Sequence, residues 1–139
     1  MIKKAGIADS KAVTKLQHAC TDALLAKGIP QWNHLQEQAI IRDIAFTYVL
    51  ISNDEVIAAF CMKPYQEHTY YAFRIAVHPD YQGRGIGKEI VTWLKNYDHP
   101  VYLDCWNGND KLKDFYKENG GDVIGVFPEE DYEICVFRF

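Results

Sequence analysis

Residues 78–88 read His-Pro-Asp-Tyr-Gln-Gly-Arg-Gly-Ile-Gly-Lys, so three glycines and an arginine crowd into positions 83–87. The run before them, Tyr-Tyr-Ala-Phe-Arg-Ile-Ala-Val, has the composition of a strand. The run after them, Lys-Glu-Ile-Val-Thr-Trp-Leu-Lys-Asn, has the spacing of a helix. The first backbone N–H groups of a helix lack intrahelical partners, and the aligned peptide dipoles add about half a positive charge there. Glycines keep side chains away from those donors. Such a turn can bind a phosphate, with Arg84 adding a charge-assisted hydrogen bond. Two common phosphate motifs do not fit. The dinucleotide pattern G-x-G-x-x-G begun at Gly83 and Gly85 meets Lys88 where it needs glycine. The P-loop pattern has Gly87 and Lys88 but carries Gln82 for its first glycine and Glu89 for its Ser/Thr. What remains is Gln82, Gly85 and Gly87 in the spacing Q-x-x-G-x-G. Taken alone, that spacing also suits a glycine turn that merely allows tight packing.

Other residues could take part in acid–base chemistry. Glu67, His68, His78 and Asp104 stand near strand ends beside this turn, and histidine titrates near neutrality. Arg74 could pair with Asp104. Tyr116 follows Phe115 on an apolar helical face, which by spacing alone reads as core. Asn109 or Asp110 suits the N-cap of the same helix.

Periodicity gives the elements that must hold these groups. Val13, Leu16, Cys20 and Leu24 recur at helical spacing after a cap at Asp9 or Ser10, and Gly28 and Pro30 end that helix. A loop and a second, shorter helix follow, with Leu35, Ala39 and Ile40 inward. Phe-Thr-Tyr-Val-Leu-Ile and Val-Ile-Ala-Ala-Phe-Cys-Met predict a hairpin around Ser-Asn-Asp-Glu. Ile86, Ile90, Val91 and Leu94 form one stripe on the helix after the glycines. Val-Tyr-Leu-Asp-Cys-Trp predicts a strand, residues 109–121 a helix ending in glycine, and the last two runs a hairpin around Pro-Glu-Glu-Asp. The strand–helix–strand from 70 to 104 must be a parallel crossover, because no short turn can join its strands. The expectation is a mixed sheet with helices on its faces, α/β or α+β, in one domain over residues 1–139.

Composition narrows the function. With 48% hydrophobic and 24% charged residues, the chain resembles an ordinary folded protein, and 14% aromatics is high. A net charge of −4 and the absence of a basic stripe argue against a nucleic-acid surface. The four cysteines, Cys20, Cys61, Cys105 and Cys135, form no C-x-x-C pair and have no histidine at ligand spacing. They read as free, buried thiols in a reducing compartment, with no metal site. No apolar run is long enough to span a bilayer, and the N-terminus has no signal-peptide pattern, so a cytoplasmic location with no membrane partner is expected.

Residues 74–87, Arg-Ile-Ala-Val-His-Pro-Asp-Tyr-Gln-Gly-Arg-Gly-Ile-Gly, resemble the signature of the GNAT superfamily of acyl-CoA-dependent N-acetyltransferases, in which a strand and V-x-P precede Q/R-x-x-G-x-G/A at a helix start. Residues 103–121 are similar to a second segment of that family, with Asn109 and Tyr116 at its spacing. The resemblance is close over residues 70–121. Gly121 departs from it where an aromatic is usual, and Leu112 where alanine is usual. The resemblance implies the GNAT fold, a mixed and mostly antiparallel sheet of about six or seven strands with about four helices, whose fourth and fifth strands hold acetyl-CoA as co-substrate. Gln82, Gly83, Arg84, Gly85, Ile86, Gly87 and Lys88 would then hold the pyrophosphate. Backbone at Ile75 and Val77 would pair with the pantetheine arm, a backbone N–H near Val77 would meet the oxyanion, and Asn109 would bind the arm or order a water. Tyr116 would be the general acid, its ordinary pKa of about 10 being close to that of an alkyl thiol. The expected activity is acetyl transfer to a primary amine of a small molecule or peptide by direct attack, the alternative being an acyl-CoA-binding sensor without turnover. The acceptor is expected near the Gly-Ile-Pro-Gln-Trp loop, with Trp32 as a π-face, and near Glu129, Glu130, Asp131 and Glu133 of the last hairpin. The same residues also suit a core indole and a solvated turn. A homodimer is compatible with this reading.

Overall fold

The computed structural model describes residues 1–30 and 32–139. Its strands are β1 (Ile2–Lys4), β2 (Thr47–Ser52), β3 (Glu55–Pro64), β4 (Tyr70–Val77), β5 (Val101–Trp106), β6 (Asp122–Glu129) and β7 (Tyr132–Arg138). Its helices are α1 (Ser10–Ala26), α2 (Glu37–Arg42), α3 (Ile86–Lys95) and α4 (Asp110–Glu118). The strands form one seven-stranded sheet in the order β1-β2-β3-β4-β5-β7-β6. β4 and β5 are parallel, as their crossover through α3 requires, whereas β1–β2, β2–β3, β5–β7 and β6–β7 are antiparallel. β1 is too short to leave a period in the sequence. The fold class is that implied by the two motifs.

The chain divides into two compact units, residues 1–62 with 74–87, and residues 63–73 with 88–139. In the first, α1 buries Val13, Leu16 and Cys20, which pack with Ile40, Val49, Ala59 and Ala76. Gly28 stops α1 in a left-handed conformation (φ +74°), where its N–H bonds Leu25 and the Ile29 N–H bonds Leu24. The segment after it is held by a buried glutamine. Gln17 donates to the carbonyl of Asn33 (2.7 Å) and accepts from the N–H of Leu35 (3.0 Å), satisfying backbone that belongs to no helix or strand. Asn53 and Asp54 (φ +51° and +63°) turn the β2–β3 hairpin at the expected place, in a region these short polar side chains tolerate.

In the second unit Ile90, Val91 and Leu94 of α3, Val101, Leu103 and Cys105 of β5, and Cys135 and Phe137 of β7 are buried. Alternation along β5 is strict: its odd residues are buried and Tyr102, Asp104 and Trp106 are partly exposed. All four cysteines are buried and none is in a disulfide.

Candidate active site

The glycine turn lies in the first unit. β4 leads into a short 3-10 turn over Pro79–Tyr81, capped by His78, whose Nδ1 accepts from the Asp80 N–H at 3.1 Å. That nitrogen is occupied as an acceptor by the backbone of the turn itself. Gln82 folds its side-chain amide back onto the Val77 carbonyl (3.3 Å), and the Cys20 thiol donates to the same oxygen (3.2 Å). Gln82 therefore braces the turn from β4, and the Val77 carbonyl has both lone pairs engaged. Burial pushes Cys20 up to about 11, so the thiol keeps the proton it donates. Gly83 and Gly85 are left-handed (φ +78° and +82°), and a Cβ at either would meet nothing within 4 Å. Their role is conformational freedom together with open space on the outer side of the turn. Residues 82–85 are exposed, and α3 starts at Ile86, which is buried and anchors the helix start. Arg84 lies over the Tyr81 ring at 5.0 Å. Exposed amides, two open glycines and a cation at the start of a helix fit a phosphate group.

Arg74 does not pair with Asp104. Its guanidinium meets Asp43 at 2.9 Å, from the end of α2, and its own backbone is left-handed (φ +50°). That left-handed residue interrupts the regular alternation of β4, which no periodicity reveals. Ile75 and Val77 are partly exposed on either side of buried Ala76. Trp32 packs on the apolar cluster of the first unit, in keeping with the core reading of that indole. Gln31 of the same loop lies outside the described residues.

The second unit holds the remaining candidates. Asn109 caps α4, its Oδ1 accepting from the Leu112 N–H at 3.2 Å. Tyr116 is buried (5% exposed) against the rings of Phe115, Phe137 and Phe139. Its pKa is raised well above the ordinary value, first by burial and then by Cys105 and Asp104, so the hydroxyl is protonated across the neutral range. That hydroxyl has no hydrogen-bond partner among the described residues. Among the described residues no fully buried side-chain oxygen or nitrogen lacks a partner, so the hydroxyl is not completely sealed. The aromatic missing at Gly121 is replaced in space, because a Cβ there would sit 2.7 Å from the Phe139 ring. Glu67 and His68 are exposed and close to each other (3.6 Å). Asp104 accepts a short hydrogen bond, 2.6 Å, from the Tyr71 hydroxyl. Burial raises the Asp104 pKa and the bond from Tyr71 lowers it, the first effect being larger. Tyr71 has no sequence signature beyond its place in an aromatic strand, and the loop contact of Cys20 has none beyond helical register. Glu129, Glu130, Asp131 and Glu133 are exposed around the β6–β7 turn.

Comparison with known proteins bears on these features together. The family model described as "Acetyltransferase (GNAT) family" matches residues 13–121, most of the chain. The chain belongs to the GNAT family. Its members transfer acyl groups, so this GNAT protein is an acyl-CoA-dependent N-acyltransferase with acetyl-CoA as co-substrate. It is 24% identical to the uncharacterized N-acetyltransferase YesJ of Bacillus subtilis, over 85% of this chain and 79% of that one. It is 27% identical to an acetyltransferase of Pectobacterium atrosepticum, over 90% and 82%. Among solved structures, a GNAT-family acetyltransferase from Listeria monocytogenes superposes with a TM-score of 0.79 at 16% identity, covering 100% of this chain and 93% of that one. The PaiA N-acetyltransferase of Thermoplasma acidophilum, solved with coenzyme A, superposes with a TM-score of 0.78 at 16% identity, covering 100% and 98%. At these identities the structures establish the fold of the GNAT protein. Among its described residues no helix is long and apolar enough to cross a membrane, and no cluster of His, Cys, Asp or Glu could hold a metal ion.

Proposed function

We propose that the chain transfers the acetyl group of acetyl-CoA directly to a primary amine of a small molecule or peptide, with Tyr116 as general acid. The observation that carries this reading is the Tyr116 hydroxyl, protonated, without a hydrogen-bond partner among the described residues and not completely sealed. When bound, acetyl-CoA supplies the activated thioester carbonyl. The backbone amides of residues 83–88 hold its pyrophosphate, with Arg84 beside them, while the Gln82 N–H donates to the Pro79 carbonyl. The N–H groups of Ile75 and Val77 pair with the arm, and a backbone N–H near Val77 meets the developing oxyanion. The Val77 carbonyl takes no part, being filled from within by Cys20 and Gln82. Asn109 uses its Oδ1 for the helix cap, which leaves its side-chain N–H₂ for the arm or a water.

As the amine nitrogen bonds the acetyl carbon, the carbon–sulfur bond breaks and Tyr116 gives its proton to the departing sulfur. The tyrosinate is then reprotonated from the proton that the amine has lost, through solvent. A raised pKa does not spoil the acid. The burial that raises Tyr116 would also disfavour a bare thiolate beside it, so proton transfer to the departing sulfur is favoured there.

The test is Tyr116→Phe, which keeps the ring packing. The expected result is a fall in kcat of ~10²–10⁴ with unchanged CoA affinity. An unchanged kcat under conditions where chemistry limits turnover returns Tyr116 to the core. An acyl-CoA-binding sensor would show CoA binding and no turnover on any amine, in parent and variant alike.

A further inference from the structure

The second unit carries a cluster that the chemistry above does not use. β4 and β5 pair Tyr71 with Tyr102, which sets the two side chains on one face of the sheet, and Asp104 lies two residues along the same face. Tyr71 donates to Asp104 Oδ2 at 2.6 Å, a length typical of a hydroxyl on a carboxylate. The Tyr65 ring stands 5.1 Å from that of Tyr71 and 5.8 Å from that of Tyr102. The Arg138 guanidinium lies over Tyr102 at 5.8 Å, so this aromatic surface already holds one cation.

Asp104 has no counter-ion. Among the described residues no Lys, Arg or His nitrogen comes within 4.0 Å of its carboxylate. Among the described residues its second oxygen has no hydrogen-bond partner, and it is not fully buried, so it retains access to the surface. A partly buried carboxylate without a cation is unfavourable, and chains usually pair such a group or leave it in water. Here it is oriented by a tyrosine and flanked by rings whose faces attract cations, a setting that a ligand cation completes.

We infer that Asp104, oriented by Tyr71, whose ring meets Tyr65, anchors an ammonium group of the acceptor other than the one acetylated, so the acceptor is a diamine or an amine with a second cationic centre. The inference rests on the amine-acetyltransferase reading. The two nitrogens must differ because a carboxylate favours the charged form of the ammonium it touches, whereas the attacking nitrogen must be neutral. A monoamine held by Asp104 would be bound unproductively.

The experiment compares 1,4-diaminobutane and longer diaminoalkanes with n-butylamine, in the parent, Asp104→Asn and Tyr71→Phe. Two quantities are measured: the ratio of kcat/KM for diamine over monoamine, and the calorimetric affinity of the CoA-bound protein for the diamine. The parent is expected to prefer a diamine by at least tenfold. Asp104→Asn, which keeps the shape and removes the charge, should bring the ratio close to one and weaken diamine binding about tenfold. Tyr71→Phe should lower both in part, while CoA affinity stays unchanged in either variant. Equal diamine affinity in the parent and Asp104→Asn overturns the inference, whatever the turnover. Diamine binding that depends on Asp104 without acetylation of any amine keeps the anchor and refutes the amine-transferase reading instead.

Discussion

Substitution at Gly85 separates the two roles of the glycine turn, since structure alone puts a figure on one of them. The backbone at Gly85 is left-handed (φ +82°) and a Cβ there would meet nothing within 4 Å. Gly85→Ala therefore creates no clash inside the protein. Its only internal penalty is the left-handed conformation, roughly 1–2 kcal/mol for an L-residue. In a chain of this length that lowers Tm by roughly 3–10 °C. Gly6, at φ −118° with equally open space, gives the control: Gly6→Ala should leave Tm where it is. Ligand binding adds a second and larger effect. The added methyl would stand in open space, and on the phosphate-site reading it would obstruct a pyrophosphate approaching the amides. CoA at about a hundred times its Kd should stabilise the parent by about 2.7 kcal/mol. In Gly85→Ala that ligand-induced rise should shrink, with affinity at least tenfold weaker, a loss of about 1.4 kcal/mol or more. In Gly85→Val it should vanish. Melting curves with and without CoA, checked by calorimetry, read both effects. Variants that melt lower yet bind CoA as tightly as the parent would show that the glycines serve backbone conformation alone, and the phosphate-site argument would fail.

Two further outcomes follow from the packing. Gln17→Leu should free the segment after α1, because it strips partners from the Asn33 carbonyl and the Leu35 N–H; a cost of about 1–3 kcal/mol and faster hydrogen exchange at Leu35 are expected, and unaltered protection of that amide would refute the tether. Stability should also fall at alkaline pH. Burial holds Cys20 at about 11 and Cys105 at about 12 against 9.0 for an ordinary thiol, so above pH 9 the unfolded chain loses protons that the folded chain keeps. Their contribution is complete below pH 9 and is lost as pH rises through 11 and 12, Cys20 alone accounting for about 2–3 kcal/mol. Urea titrations from pH 7 to about 11 should give a flat profile and then a decline, and a flat profile throughout would contradict thiols buried as neutral groups.

The elements were legible in the sequence wherever one local period governed them. Val13, Leu16 and Cys20 repeat at helical spacing and are buried. The residues of β5 alternate, and Asn53 and Asp54 sit where a hairpin needs left-handed backbone. The glycine turn and Asn109 were legible for a similar reason, because a helix start demands particular backbone and capping chemistry from residues adjacent in sequence. Tertiary structure decided the pairings between distant side chains. Arg74 offered Asp104 as a plausible partner and took Asp43 instead, since a left-handed residue within β4 redirects it. Asp104 then fell to Tyr71, and that bond requires β4 and β5 to lie parallel in one register. Gly121 looked like a gap in the motif until the fold laid the Phe139 ring over it. Spacing along a chain specifies what neighbouring backbone groups need. Which charge meets which depends on strand register and on single backbone rotations, and a one-letter sequence does not carry those.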